Sequence, residues 1–521
     1  MSFVKFHSGE EIPLELHKVR IVQKLNLVPI ERRRDAIKEA GYNVYKLSTR
    51  DIFLDMITDS GVNAMSDKQL SAMMQADDAY AGSQSWEKFK KGVEDVLAKK
   101  YLLPVHQGRA AENILARTFV KPGNVVPTNY HFTTTLAHIM EVGGSMVELV
   151  GDEAFIIASS NPFKGNMDIG KLEDAILRIK PENIPFVRME ASTNLIGGQP
   201  FSIRNLMDVR AVCDKYGLLL VLDASLLGEN AYLVKEREKE WQSNSMADII
   251  KMMTGLSDIV YFSARKLTSS RGGCICTNRH DLYLKMEPLI PLFEGFLTYG
   301  GMSVREIEAM SVGIYETLDE TIIGQSVSFI KYLVDNAVKA GVPMVTPAGV
   351  LGAHVNAMEF CDHIPRSEYP AGALTAAMYL CAGVRGMERG TMSSIRDEDG
   401  NDVLSDVELL RLAFPRRVFT LSQTKYVLDR LIWLYENRRL IGGLKFDYEP
   451  RVLRFFRTAR AMARRWRWPP TSSRRGSRPP SPARRASSPR CTSSLWHPAV
   501  PCRRMSTTHP LSASLWRWWP E

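Results

Sequence analysis

No stretch of this 521-residue chain approaches the ~20 consecutive apolar residues that cross a bilayer, so no membrane span is expected. The opening MSFVKFHSGEEIPLELHKVR lacks a long apolar core, and no secretory signal is expected either. Seven cysteines (Cys213, Cys274, Cys276, Cys361, Cys381, Cys491 and Cys502) form no CxxC pair and no dense framework. That argues against a disulfide scaffold and for a reducing, cytoplasmic setting. Cys274 and Cys276 alternate on a strand-like run and should share a face, but a metal site there has no third ligand in view. No internal repeat is present. Lysine is absent from the last part of the chain. From Arg457 to Glu521 there are fourteen arginines, no lysine, one acidic residue and six of the nine tryptophans. This segment alone carries +13 against a whole-chain net charge of +9, so the body is mildly acidic and a nucleic-acid partner is not expected of it. The segment 457–521 cannot bury a core and is expected to be disordered. Lysine vanishes while Arg, Pro and Trp rise together, which reads as an out-of-frame or non-coding translation rather than an RNA-binding arm.

The body is ordinary globular material, for the whole chain is 45% hydrophobic and 24% charged. RDIFLDMI has a helix-like pattern, TDSGVNAMSDKQ reads as a loop that caps a helix, and WEKFKKGVEDVLAKK has helical periodicity. Strand-like runs such as SMVELVG, IPFVRMEA and GLLLVLDAS then alternate with helices such as SIRNLMDVRAVCDKYG. Such βαβα alternation predicts an α/β domain with a mostly parallel sheet. After about residue 320 the texture turns to α+β. The expected organisation is an N-terminal segment (1–57) joining a smaller C-terminal domain (321–456), with a large domain over 58–320.

Four places can carry chemistry. The apolar strand GLLLVLDAS ends in Asp223, which puts a carboxylate at the C-terminal edge of the sheet, where ligands bind in open α/β folds. It could hold a ligand cation, a metal or a protonated ring nitrogen, or simply cap the next helix. In VHQGRAAENIL a strand-like run meets Gln107, Gly108 and Arg109 before a helix begins, a possible anion cradle or a plain tight turn. Asn194, after IPFVRMEA, could bond a ligand ring oxygen or stabilise its own turn. In YFSARKLTSSRGG, Lys266 stands among small and hydroxyl residues, where a lysine can form a Schiff base. Phosphate loop, ring-hydroxyl partner, ring-nitrogen partner and lysine together make the kit for pyridoxal phosphate.

TDSGVNAMSDKQ, DDAYAGS, HQGRAAEN, NLIGGQP, GENAYLVKERE, EGFLTYGGM, GVRGMERG, PRRVFT and GLKFDYEPRVLRFF carry a resemblance from about residue 10 to Phe456. The chain resembles the aromatic amino-acid β-eliminating lyases, tyrosine phenol-lyase and tryptophanase. The resemblance implies the fold of the aspartate-aminotransferase-like pyridoxal phosphate enzymes (fold type I), a homotetramer, and a small amino acid as substrate. It also implies roles. Lys266 would be the Schiff-base lysine, with Ser263, Gln107, Gly108 and Arg109 on the phosphate. Phe132 would stack on the ring, Asp223 would hold its nitrogen and Asn194 its hydroxyl. Arg411 would take the substrate carboxylate, with Thr58, Ser60, Phe455 and Phe456 around the substrate. Tyr80 would be the general acid, supplied like Tyr299 by a neighbouring subunit. Gly61 and Asp78 fall where the family places a monovalent cation such as potassium.

Thr133, Arg389 and Phe455 stand where phenol-lyases and tryptophanases differ, and all three favour a phenol pocket, with Arg389 and Thr133 on the phenol hydroxyl. Tryptophanase-type elimination, cysteine-conjugate lysis, transamination and a degenerate homologue are the alternatives. Departures from the family pattern are also present. Leu226 replaces an arginine, Arg265 and Leu267 flank Lys266 where the family has lysine and aspartate, and Asp78 replaces a glutamate. The loop LTSSRGG is one residue short of the family pattern.

Overall fold

A computed structural model describes residues 3–394, 396–450, 454–463 and 466. Seven strands form the central sheet: β1 (Tyr101–Val105), β2 (Val125–Thr128), β3 (Ser145–Glu148), β4 (Val187–Glu190), β5 (Leu220–Asp223), β6 (Ile259–Ser263) and β7 (Gly273–Thr277). Their order is β1-β7-β6-β5-β4-β2-β3. Neighbours pair in parallel except at β7, which runs antiparallel to both β1 and β6. The sheet is therefore mostly parallel, as the alternation of elements predicts.

Alternate residues of these strands supply two cores. Val187, Met189, Leu222, Phe262, Cys274 and Cys276 pack on one face. Val126, Val221, Ile259, Tyr261 and Ile275 pack on the other, against Ala111, Ile114 and Leu115 of α1 (Gly108–Phe119). Cys274 and Cys276 thus share a face as expected, but they are apolar core; among the described residues no cluster of His, Cys, Asp or Glu could hold a metal. Also among the described residues, no helix is long and apolar enough to cross a membrane.

A further core joins Ala36, Ile37, Leu54 and Met56 to residues from Phe329 onward. Its antiparallel sheet contains β8 (Gly352–Asn356), β9 (Met387–Arg389) and β10 (Leu409–Ala413), in the order β8-β10-β9. The helix Pro370–Ala382 is buried almost throughout, which explains why YPAGALTAAMYL shows no polar face. RDIFLDMI is not a helix. It forms a 3-10 turn at Thr49–Asp51 and a short strand, Leu54–Asp55, paired with Val384–Arg385. The apolar residues at 52, 54 and 56 have the spacing of a strand. Ser66 caps the helix Asp67–Met73 through a capping box with Gln69, as the loop reading expects.

The boundary drawn at Arg457 falls inside the fold. β11 (Leu444–Tyr448) pairs antiparallel with β12 (Ala459–Met462), and buried Arg460 donates to Glu388 at 2.6 Å. Composition counts arginines without seeing that one of them has a buried carboxylate partner. The rest of the Arg-rich segment, from residue 467, lies outside the described residues.

Candidate active site

The C-terminal ends of the parallel strands all face one edge of the sheet, and that edge opens into a cavity of about 270 Å³. Gln107 and Gly108 follow β1, Phe132 and Thr133 follow β2, Asn194 follows β4, Leu226 follows β5, and Lys266 follows β6. The antiparallel sheet contributes Met387, Arg389 and Arg411, which its register places together, with Met387 opposite Arg411. Thr58, Ser60, Ser263, Phe455 and Phe456 complete the expected set in the lining, together with Arg109 and Asp223.

Lys266 sits on a four-residue helical turn, Ala264–Leu267. Its Nζ lies 3.9 Å from Asp59 Oδ1 and 5.5 Å from the centre of the Phe132 ring. The turn is pinned from outside. Asn63 donates to the Arg265 and Lys266 carbonyls, Arg416 to that of Leu267, and Gln69 to that of Thr268. Four carbonyls of the turn thus accept from side chains, and that of Arg265 also accepts from the Gly61 N–H, which holds the turn that carries the lysine.

At the start of α1, a side chain at Gly108 would put Cβ 2.8 Å from Ser263 Cβ, so only glycine lets the helix start approach Ser263. The first N–H groups of a helix lack intrahelical partners and, with the dipole, favour an anion. Asp223 Oδ2 accepts from Arg188 Nη2 at 2.6 Å and from the Tyr261 hydroxyl at 2.9 Å. Oδ1 accepts from the backbone N–H of Ser225 at 3.1 Å. The N-cap alternative for Asp223 does not hold, because the next helix, Leu227–Arg237, is preceded by Leu226 at the cap position.

Arg411 donates to Asn194 Oδ1 at 2.7 Å and to the Ile57 carbonyl at 2.7 Å, and Arg389 reaches the same Asn194 oxygen at 3.3 Å. Among the described residues, neither guanidinium has a carboxylate partner by hydrogen bond. Arg389 Nε and Nη1 and Arg411 Nε are buried with no hydrogen-bond partner among the described residues. Burial, with Arg411 alongside, pushes the Arg389 pKa down. Two desolvated cations side by side are costly unless an anion joins them. Tyr45, Phe455 and Phe456 form an aromatic wall, with ring centres 4.3–5.7 Å apart.

Four expected residues do not line this cavity: Tyr80, Tyr299, Gly61 and Asp78. Tyr80 is 75% exposed and packs against Tyr299 and Phe296 at the surface. A hydrogen bond with Tyr299 holds the Tyr80 phenol above its ordinary pKa. The proposed cation position does not fit an ion within this chain. Asp78 is paired with Arg305 at 3.0 Å. Arg265 covers Gly61 so closely that a Cβ there would meet Nη2 at 2.4 Å. Each element of the would-be site already has a guanidinium.

Sequence reading missed Tyr45, Asp59, Glu112, Arg188 and Glu190. Glu112 accepts from the Thr134 and Thr135 hydroxyls at 2.5 and 2.8 Å, and burial beside Asp223 pushes its pKa up to about 7. Arg188 and Glu190 had a signal: VRME alternates apolar and charged residues within a run read as strand-like.

A lysine amine, an acid at a strand end, a helix N-terminus and two arginines with no carboxylate hydrogen bond among the described residues, all around one cavity, define an α/β enzyme that holds an anionic cofactor and an anionic substrate. The fold is shared with serine palmitoyltransferase of Sphingomonas wittichii (TM-score 0.55, 11% identity, covering 79% of this chain and 97% of that one). It is also shared with the S. paucimobilis enzyme (TM-score 0.51, 12% identity, 74% and 88%). The family model described as Beta-eliminating lyase matches residues 55–429. Tyrosine phenol-lyase of Pasteurella multocida is 41% identical over 450 residues, covering 86% of this chain and 98% of its own length. That of Symbiobacterium thermophilum is 40% identical over 448 residues, with the same coverage. The chain belongs to the β-eliminating lyase family.

Proposed function

We propose that this chain is a cytoplasmic, pyridoxal phosphate-dependent lyase that converts L-tyrosine and water to phenol, pyruvate and ammonia, working as a homotetramer. The observation that carries the reading is the pair of buried arginines, Arg389 and Arg411, which among the described residues have no hydrogen bond to a carboxylate and face the same cavity as Lys266 and Asp223.

The residues fit the cofactor. The α1 start, with Gln107, Gly108, Arg109 and Ser263, would hold its phosphate. Phe132 would cover its ring, Asp223 would hold the ring nitrogen, Asn194 the ring hydroxyl, and Lys266 the aldehyde carbon. Bound there, pyridoxal phosphate supplies an electron sink for the bond broken at the substrate's α-carbon.

The chain's own groups do the rest. Arg411 would grip the substrate carboxylate, a task suited to the planar guanidinium fork. Thr58 and Ser60 would line the substrate's amino-acid end. Arg389 and Thr133 would hold the phenol oxygen under Phe455 and Phe456. The Lys266 amine would move the α-proton. Tyr80 of a neighbouring copy, kept protonated beside Tyr299, would give a proton to the departing ring carbon. The exposure of Tyr80, with half-buried Tyr299 beneath it, supports its meeting another copy's cavity.

The test is purified chain with pyridoxal phosphate and L-tyrosine. Equal amounts of phenol and pyruvate are expected. Release of pyruvate from S-alkyl cysteines but not from tyrosine would replace the substrate while keeping the lyase. The salt requirement is a separate expectation. Because Arg305 already pairs with Asp78 and Arg265 lies against Gly61, turnover should be the same in potassium, sodium and tetramethylammonium salts. A specific potassium activation would sink that claim.

A further inference from the structure

Glu190 is a buried carboxyl in the lining of the cavity to which no role has been given. It ends β4 directly beside Asp223 on β5, with Glu190 paired to Asp223 in the parallel register. Glu190 Oε1 accepts from the backbone N–H of Asn194 at 3.3 Å. Its carboxyl therefore lies between the group expected on the ring nitrogen and the group expected on the ring hydroxyl.

The charge around it does not balance. Arg188 is the guanidinium on this face of the sheet, and it favours Asp223. Its bond to Asp223 is 2.6 Å, the length of a charge-assisted bond, whereas Nη1 stands 3.4 Å from Glu190 Oε2. That same Nη1 also spreads to Thr128 Oγ1 at 3.4 Å and to the Tyr130 carbonyl at 3.3 Å. Glu112 from α1 adds a third buried carboxyl near Arg188, and Tyr261 on β6 contributes only a neutral hydroxyl. From the remaining sides Glu190 meets Lys266, and Arg389 feels its charge. Leu226, on the loop after β5, brings no charge at all.

We propose that Glu190 is a further positioning residue of this site, a carboxyl that sets the charge along the polar edge of the bound cofactor between Asp223 and Asn194, where Leu226 supplies no cation. The inference rests on the cofactor reading above. Burial and the neighbouring Asp223 push the Glu190 carboxyl up to about 7, against the pull of Arg188 and Lys266. It is thus neutral below neutrality and anionic above it. A neutral Glu190 resembles glutamine and an anionic one does not, so the effect of replacing it must open as pH rises.

The experiment is the visible absorbance of the full chain loaded with pyridoxal phosphate, titrated from about pH 5.5 to 9 around that midpoint. The wild type should show an inflection near pH 7. Glu190→Gln should lose it and keep at every pH the spectrum of the wild type at low pH. Glu112→Gln should retain it, which separates the two buried glutamates. The inference is overturned if Glu190→Gln keeps the wild-type profile, or if Glu112→Gln is the variant that loses it. Should Glu190→Gln not fold, the wild type decides. With ¹³C-labelled glutamate, the infrared carbonyl band of a protonated carboxyl must vanish with the same midpoint as the visible change, and a different midpoint overturns the claim. A wild type with no cofactor band would instead sink the cofactor reading itself.

Discussion

Lys266→Ala should lower kcat/KM for the elimination by about 10⁴-fold or more, the upper range for a positioned group that moves a proton in the transition state. Among the residues lining the cavity, Lys266 is the one primary amine, so nothing nearby can take over. Its contact with Asp59 is 3.9 Å, too long for a hydrogen bond, and its carbonyl partners are backbone interactions that alanine preserves. The fold should therefore persist, with a stability change of about 1 kcal/mol or less. Two measurements separate an anchor from a bystander. Borohydride should fix pyridoxal phosphate to the wild-type chain and not to the variant, and small primary amines should restore part of the turnover. A Lys266→Ala enzyme with wild-type rates would sink the mechanism.

The parts legible in the sequence were those set by local pattern. β5 is a run of buried residues ending in Asp223, and a parallel strand covered on both faces has to read that way. The lysine turn, the glycine at the α1 start and the arginine of β10 were likewise visible from residue type and family motif. The missing pieces depend on pairing across the chain. Nothing local says that β7 runs antiparallel, since GCICT reads the same in either direction. Arg188 and Glu190 drew no reading from the sequence, because only the register puts them beside Asp223. Arg460 looked like part of an arginine-rich tail until Glu388, far away in sequence, turned out to face it. The cation position depends on the same kind of pairing: Gly61 and Asp78 are in their motifs, but Arg265 lies against the one and Arg305 pairs with the other.

Asp223→Asn should reduce kcat by about 10³-fold, comparable to losing one preorganised electrostatic stabiliser, while KM for the amino acid changes little. The reason for the split is spatial: Arg411, expected on the substrate carboxylate, makes its bonds to Asn194 and Ile57 and none to Asp223. A neutral amide keeps one acceptor oxygen for Ser225 or for Tyr261 but no longer neutralises Arg188. Leaving one partner of a buried ion pair uncompensated can cost about 3–5 kcal/mol, yet here Glu190 stands 3.4 Å from the same guanidinium and can take over. The cost should then be nearer 1–3 kcal/mol. The rescue has a readable consequence. With Asp223 neutral, Arg188 is left to Glu190 and the more distant Glu112, so the anionic form of Glu190 is favoured, the repulsion from Asp223 is gone, and its titration must move below the wild-type value of about 7. A carboxyl whose pKa falls on mutation holds its proton only at lower pH, and the absorbance inflection of the cofactor-loaded variant should move to lower pH with it. An Asp223→Asn enzyme within tenfold of wild-type kcat would mean that the ring nitrogen is not held there. A collapsed kcat with an unmoved inflection would mean that Arg188 does not link the two carboxyls.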